Sequence, residues 1–146
     1  MEIQITIPGK PIAKKRPRFV RRGKFVGAYN SQETEEGRWI LEAKSQISHK
    51  WEDGPVIAFM VFLMPIPTSL RGRDIALIDA GKYYHVKKPD LDNLIKFAKD
   101  CLNGIAWRDD SQVIKITSLK QYSRDPRTVI RLRGTGETCP ECHKEE

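Results

Sequence analysis

Ile3, Ile5 and Ile7 alternate with Glu2, Gln4 and Thr6, so every isoleucine falls on one side of an extended chain. That period of two predicts a strand with one buried face, ended by Pro8-Gly9. Further on, Ser31 is placed to cap a helix whose first turns carry Glu33, Glu35 and Glu36, acids suited to the positive end of the dipole. Trp39, Ile40, Ala43 and Ile47 recur at helical spacing, giving that helix an apolar face to about Lys50. Asp53-Gly54-Pro55 stops it. Val56 to Met64 contains no polar residue; its length and its β-branched and aromatic content predict a central strand buried on both faces.

After Pro65 and Pro67 the pattern weakens. A short helix fits within Thr68 to Gly81, with Ser69 as cap and Gly81 as terminator. Tyr83 to Val86 run extended into Lys87-Lys88-Pro89, because the residue before a proline avoids the helical region. Asn93 to Asn103 is the clearest helix, with Leu94, Phe97, Ala98, Cys101 and Leu102 in one stripe and Asn103-Gly104 as its stop. Val113 to Leu119 reads as a strand with Ile114 and Ile116 on one face. Thr128 to Arg133 reads as another, Ile130 and Leu132 inward, after a turn at Asp125-Pro126-Arg127. The interleaving predicts an α/β (or α+β) fold in which a small mixed β-sheet is covered by two main helices. Residues 1–134 are expected to form one domain, and 135–146, without apolar periodicity, a flexible tail.

Charge sharpens this picture once it is located. The net charge is +7, and Gly9 to Asn30 holds eight basic residues and no acid, while the rest has 18 basic against 19 acidic. One segment therefore carries the whole excess, as a contact to backbone phosphates requires. Its prolines, glycines and aromatics argue for an extended arm or hairpin, and Lys14, Lys15, Arg16 and Arg18 are the candidate DNA-binding residues. A solvated basic loop fits the same run of charge. No apolar run approaches the roughly 20 residues of a membrane-spanning helix. The acidic start, Met1-Glu2, is unlike an export signal, so a cytoplasmic protein without a membrane partner is expected.

The candidate chemistry lies in Lys87-Lys88-Pro89-Asp90-Leu91-Asp92-Asn93-Leu94-Ile95-Lys96, followed by Asp109-Asp110-Ser111-Gln112-Val113. Residues i and i+2 of an extended chain point the same way, so Asp90 and Asp92 can converge on one ion. Mg²⁺ prefers hard oxygen ligands and keeps several waters, which suits a few carboxylates at an open site. Lys96 lies one helical turn past Asp92 and can face charge developing on a phosphate. For Asp110 to join them, residues 104 to 108 must run back along the preceding helix, which an extended path permits. The same spacing fits a plainer arrangement: Asp92 as N-cap, Lys96 and Asp100 as ion-pair partners, and Asp109-Asp110 as a polar turn. An EF-hand is excluded, because Ile95 and Cys101 stand where its glycine and glutamate belong.

K-K-P-D-L-D-N-L-I-K, then D-C-L-N-G, then W-R-D-D-S-Q-V, resemble in order and spacing the RusA family of Holliday-junction resolvases. G-K-P-I-A-K-K-R-P-R-F and Lys120 extend the resemblance more weakly. The resemblance implies that Asp90, Asp92 and Asp110 are metal-binding catalytic carboxylates and Lys96 an essential lysine. It also implies a homodimer that uses Mg²⁺ to nick a four-way DNA junction symmetrically, in recombination and repair. A non-catalytic junction or duplex binder, or a less selective flap or fork nuclease, are the alternatives. Asp109 is expected to assist without being a ligand.

The three cysteines form no disulfide framework. Cys139, Cys142 and His143 would supply most of a structural zinc site, though a reducible tail fits as well. C-x-x-C-H haem attachment needs export, so no haem is expected. Trp107 is expected to pack beneath the site rather than to stack on a base.

Overall fold

A computed structural model describes residues 1–16, 18–29 and 32–135. Strands β1 (Glu2–Pro8), β4 (Val56–Pro65), β5 (Val113–Ser123) and β6 (Arg127–Gly134) form a sheet in the order β1-β6-β4-β5. β6 is antiparallel to both β1 and β4, whereas β4 and β5 are parallel. A parallel pair needs a long crossover; here it contains helices α2 (Gly72–Asp79) and α3 (Leu91–Leu102). Helix α1 (Glu33–Gln46) precedes β4, and β2 (Arg18–Arg22) pairs with β3 (Phe25–Tyr29) as a separate hairpin in the basic segment. This is an α+β fold, a small mixed sheet packed with helices.

The core lies on one face of the sheet, where Ile5, Met60, Phe62, Ile130 and Leu132 meet Trp39 and Ala43 of α1 and Leu94, Phe97 and Leu102 of α3. Trp39 and Phe97 join the two helices edge to face, with ring centroids 6.3 Å apart. Truncating a buried aromatic of this kind costs about 3–5 kcal/mol, so the seam between α1 and α3 is a principal source of stability.

Three expectations need correction. β4 is central, but its second face is only partly covered: Phe59 is 36% exposed, because both long helices pack on the opposite side. Ile114 does not share a face with Ile116. The register skips it between Val113 and Lys115, and its side chain is 62% exposed at that bulge. The helix expected near Ser69 begins at Gly72, where the Arg71 amide donates to Asp74 Oδ2 at 3.4 Å, and Gly81 follows its end at φ +71°.

Ser31 and the candidate zinc ligands Cys139, Cys142 and His143 lie outside the described residues. α1 starts from Gln32, whose buried side chain turns to the arm instead: its Nε2 donates to the Ala13 carbonyl and its Oε1 accepts from the Lys15 amide, both at 2.8 Å. The Lys14 amide donates to the Asn93 carbonyl at 2.9 Å. Residues 13–15 are thereby fastened between the start of α1 and the first turn of α3. No helix among the described residues is long and apolar enough to cross a membrane.

Candidate active site

Asp90 is the N-cap of α3 by backbone geometry, its carbonyl accepting from the Leu94 amide at 3.2 Å, yet its side chain caps nothing. The carboxylate is exposed and meets only Lys88, 3.3 Å away and itself 88% exposed. Asp92 is exposed too, with one oxygen 3.0 Å from the Asn93 amide. Lys96 follows one turn later, exposed, and makes no ion pair with a described residue. Of the plainer arrangement, neither a capping Asp92 nor an ion pair at Lys96 is therefore formed, although Asp109 and Asp110 do lie in a polar turn. Asp100 pairs with Lys14 instead, at 3.1 Å.

These groups present two open carboxylates and a cation at one end of α3, where the helix dipole also favours anions. The donor chemistry fits a hard divalent ion: oxygen ligands, solvent access, and no prior engagement as caps.

Asp110 does not join them within one chain. After α3 the amides of Ile105 and Ala106 both return to the Leu102 carbonyl, and the Gly104 amide donates to the Trp107 carbonyl at 2.8 Å. Residues 104–107 thus form a tight loop under the C-terminal end of α3 in place of an extended return. Asp110 then opens a short 3₁₀ turn (Asp110–Gln112) ahead of β5. The segment before Asp90 lies at the other end of that strand, since Lys120 Nζ donates to the Pro89 carbonyl at 2.9 Å. Seven residues from Val113 to Lys120 at about 3.3 Å each put on the order of 20 Å between the two half-sites. Accordingly, no group of three acidic, histidine or cysteine side chains able to hold a metal occurs among the described residues.

Asp110 is nonetheless built with care. Trp107 is fully buried, and its indole Nε1 donates to Asp110 Oδ1 at 2.8 Å, fixing the carboxylate from below. Asp109 serves the turn: it accepts from the Ser111 amide at 3.0 Å and from the Ser111 hydroxyl, and these bonds hold its carboxyl below the ordinary range. Gln112 Nε2 ties the turn to the Trp51 carbonyl at 3.0 Å.

Of the four basic residues singled out in the arm, Lys14 is not free. Its ammonium lies 3.2 Å from Glu36 and 3.1 Å from Asp100. Burial pulls its pKa down, but the hydrogen bonds to Asp100 and Glu36 outweigh that and raise it above 10.5. Lys15 and Arg16 are exposed and unpaired with described residues; Arg18 begins β2, and its side chain lies outside the described part. Cys101 is core, its thiol pushed up to about 12 by burial. Trp107 packs beneath Asp110 as expected, whereas spacing revealed neither its indole hydrogen bond to Asp110 nor the role of Lys120. The available signal for Lys120 was strand alternation, which sets it inward with Ile116 and Tyr122.

A family model of endodeoxyribonuclease RusA matches residues 8–133, a span that includes the arm, both acidic clusters and three of the four strands of the sheet, β1 lying almost wholly before it. The chain therefore belongs to the RusA endodeoxyribonuclease family, hydrolases that cut within DNA strands. It is also similar to an uncharacterized protein of Bacillus subtilis (strain 168), YqaN, with 31% identity over 137 residues, covering 90% of this chain and 95% of that protein.

Proposed function

We propose that this protein is a Mg²⁺-dependent Holliday-junction resolvase that works as a homodimer in DNA recombination and repair. The observation that carries the reading is the open end of α3: Asp90, Asp92 and Lys96 stand exposed, uncommitted to caps or helix ion pairs, beside an arm fastened to the same turn.

Asp90 and Asp92 from one subunit and Asp110 of the partner subunit would hold the metal, because one chain keeps its two half-sites apart. A two-fold axis then makes two equivalent sites, which suits paired cuts in strands of like polarity. Bound there, a divalent ion supplies Lewis-acid polarisation of the scissile phosphate and an activated water. Lys96 offers a cation to the phosphate as negative charge develops on it. Trp107 keeps Asp110 in one orientation, and Lys15, Arg16 and Arg18 grip phosphates along an arm of the junction.

Incubation with a synthetic four-way junction, a flap and a linear duplex, in Mg²⁺ or in EDTA, tests this. Symmetric nicks in the junction alone, only with Mg²⁺, are expected. Equal cutting of flaps would mean a less selective nuclease, and metal-independent binding with no cutting would mean a junction-binding protein.

A further inference from the structure

We propose that Lys120 is a positioning residue that fixes Asp90 and Asp92 against the sheet. The inference rests on the cleavage reading above and adds the element that holds its carboxylates in place.

Residues 82–90 form neither helix nor strand. The helices engage only the ends of this segment, through the Lys82 amide on the Leu77 carbonyl and the Asp90 carbonyl under the Leu94 amide, so the stretch between them relies on side chains that reach it from elsewhere. Two residues on the inward face of β5 do this. Tyr122 packs its ring on Tyr83 and His85, with centroids 5.8 and 4.7 Å away. Lys120, opposite Phe62 in the register, donates Nζ to the Lys87 carbonyl at 2.8 Å and to the Pro89 carbonyl at 2.9 Å. Both bonds have the length of charge-assisted ones. The Pro89 carbonyl belongs to the peptide that joins Asp90, and the Asp90 carbonyl then starts α3. One ammonium thus links a strand of the sheet to the peptide that carries the first carboxylate.

Lys120 makes no ion pair with a described carboxylate and has only neutral carbonyl partners. With no carboxylate competing for it, the ammonium is committed to these two carbonyls, and its charge strengthens the bonds that hold the peptide in place.

Lys120→Met and Lys120→Arg, each checked for folding by urea denaturation, separate positioning from plain stability. Manganese uptake by the metal-free protein is followed by electron paramagnetic resonance, junction affinity is measured in EDTA, and cleavage is measured under single turnover. In Lys120→Met, manganese affinity and cleavage rate are expected to fall by about ten- to a hundredfold, as for other groups that orient ligands, with junction affinity in EDTA unchanged. Lys120→Arg, which can still donate to both carbonyls, should recover part of both losses. A folded Lys120→Met protein that takes up Mn²⁺ and cuts like wild type overturns the proposal. If wild type binds Mn²⁺ but cuts no branched DNA, the cleavage reading falls and Lys120 is judged on the manganese titration alone. If wild type takes up no Mn²⁺, both fall.

Discussion

Replacing Lys14 by methionine should weaken the fold more than it weakens DNA binding, although Lys14 sits in the most basic stretch of the chain. Its ammonium bridges Glu36 of α1 and Asp100 of α3, with side-chain exposures of 24%, 22% and 38%. Each half-shielded pair is worth about 0.5–1 kcal/mol, so the variant should lose about 1–2 kcal/mol by urea unfolding, including the repulsion left between the two acids. The paired ammonium is not available to displace counterions from DNA. Lys15 and Arg16 are, and each phosphate contact contributes about 0.9 to the slope of log affinity against log salt. Junction affinity in EDTA, measured across a salt series, should therefore keep its slope in Lys14→Met. In the double variant Lys15→Gln/Arg16→Gln the slope should drop by about 2, with stability unchanged. A Lys14→Met protein of wild-type stability whose salt slope falls by about 1 would refute the reasoning.

Trp107→Phe keeps a buried ring but removes the donor to Asp110; cleavage at matched folded fraction should fall about tenfold, and an unchanged rate would detach Trp107 from the site. Gly134→Ala would set a methyl group 2.8 Å from Trp51 Nε1, and calorimetry should show a loss of about 1–3 kcal/mol. His85 is buried against Tyr122 with its Nδ1 unpartnered, and burial, then the charge of Lys120, holds its pKa below 6.5. The unfolded chain then takes up the proton first, so stability is full above 6.5 and is lost as pH falls through the folded value. Urea midpoints of wild type should decline across that window more steeply than those of His85→Phe; parallel declines would remove His85 as the cause.

Much of the fold was legible because its signals are local. The Ile3/Ile5/Ile7 alternation and the Leu94/Phe97/Ala98/Cys101/Leu102 stripe need only the period of their own element, and both faces are buried as expected. Elements whose form depends on neighbours were misread. The run Val56 to Met64 looks buried on both sides, but its outer face depends on where the helices pack. Ile114 breaks step at a bulge set by β4. The site divides in the same way. Asp90, Asp92 and Lys96 lie at the N-cap and in the first two turns of one helix, so spacing sufficed to group them. Whether Asp110 returns depends on how residues 104–107 fold back on Leu102, a choice that length alone leaves open. Lys14 looked like one cation among eight until the packing of α1 on α3 placed two acids around it.

The sharing of one metal site by two subunits is tested most directly by mixing two inactive proteins, Asp90→Asn and Asp110→Asn. In a mixed dimer one site combines both substitutions, and the other combines Asp90 and Asp92 of one subunit with Asp110 of its partner, all intact. About half of the dimers in an equimolar, re-equilibrated mixture are mixed, so about a quarter of the wild-type sites should return. Four-way junctions should then be nicked in one strand, with Mg²⁺, by the mixture and by neither protein alone. If wild type cuts and the mixture stays inactive although mixed dimers form, the carboxylates act within a single chain and the shared site is wrong.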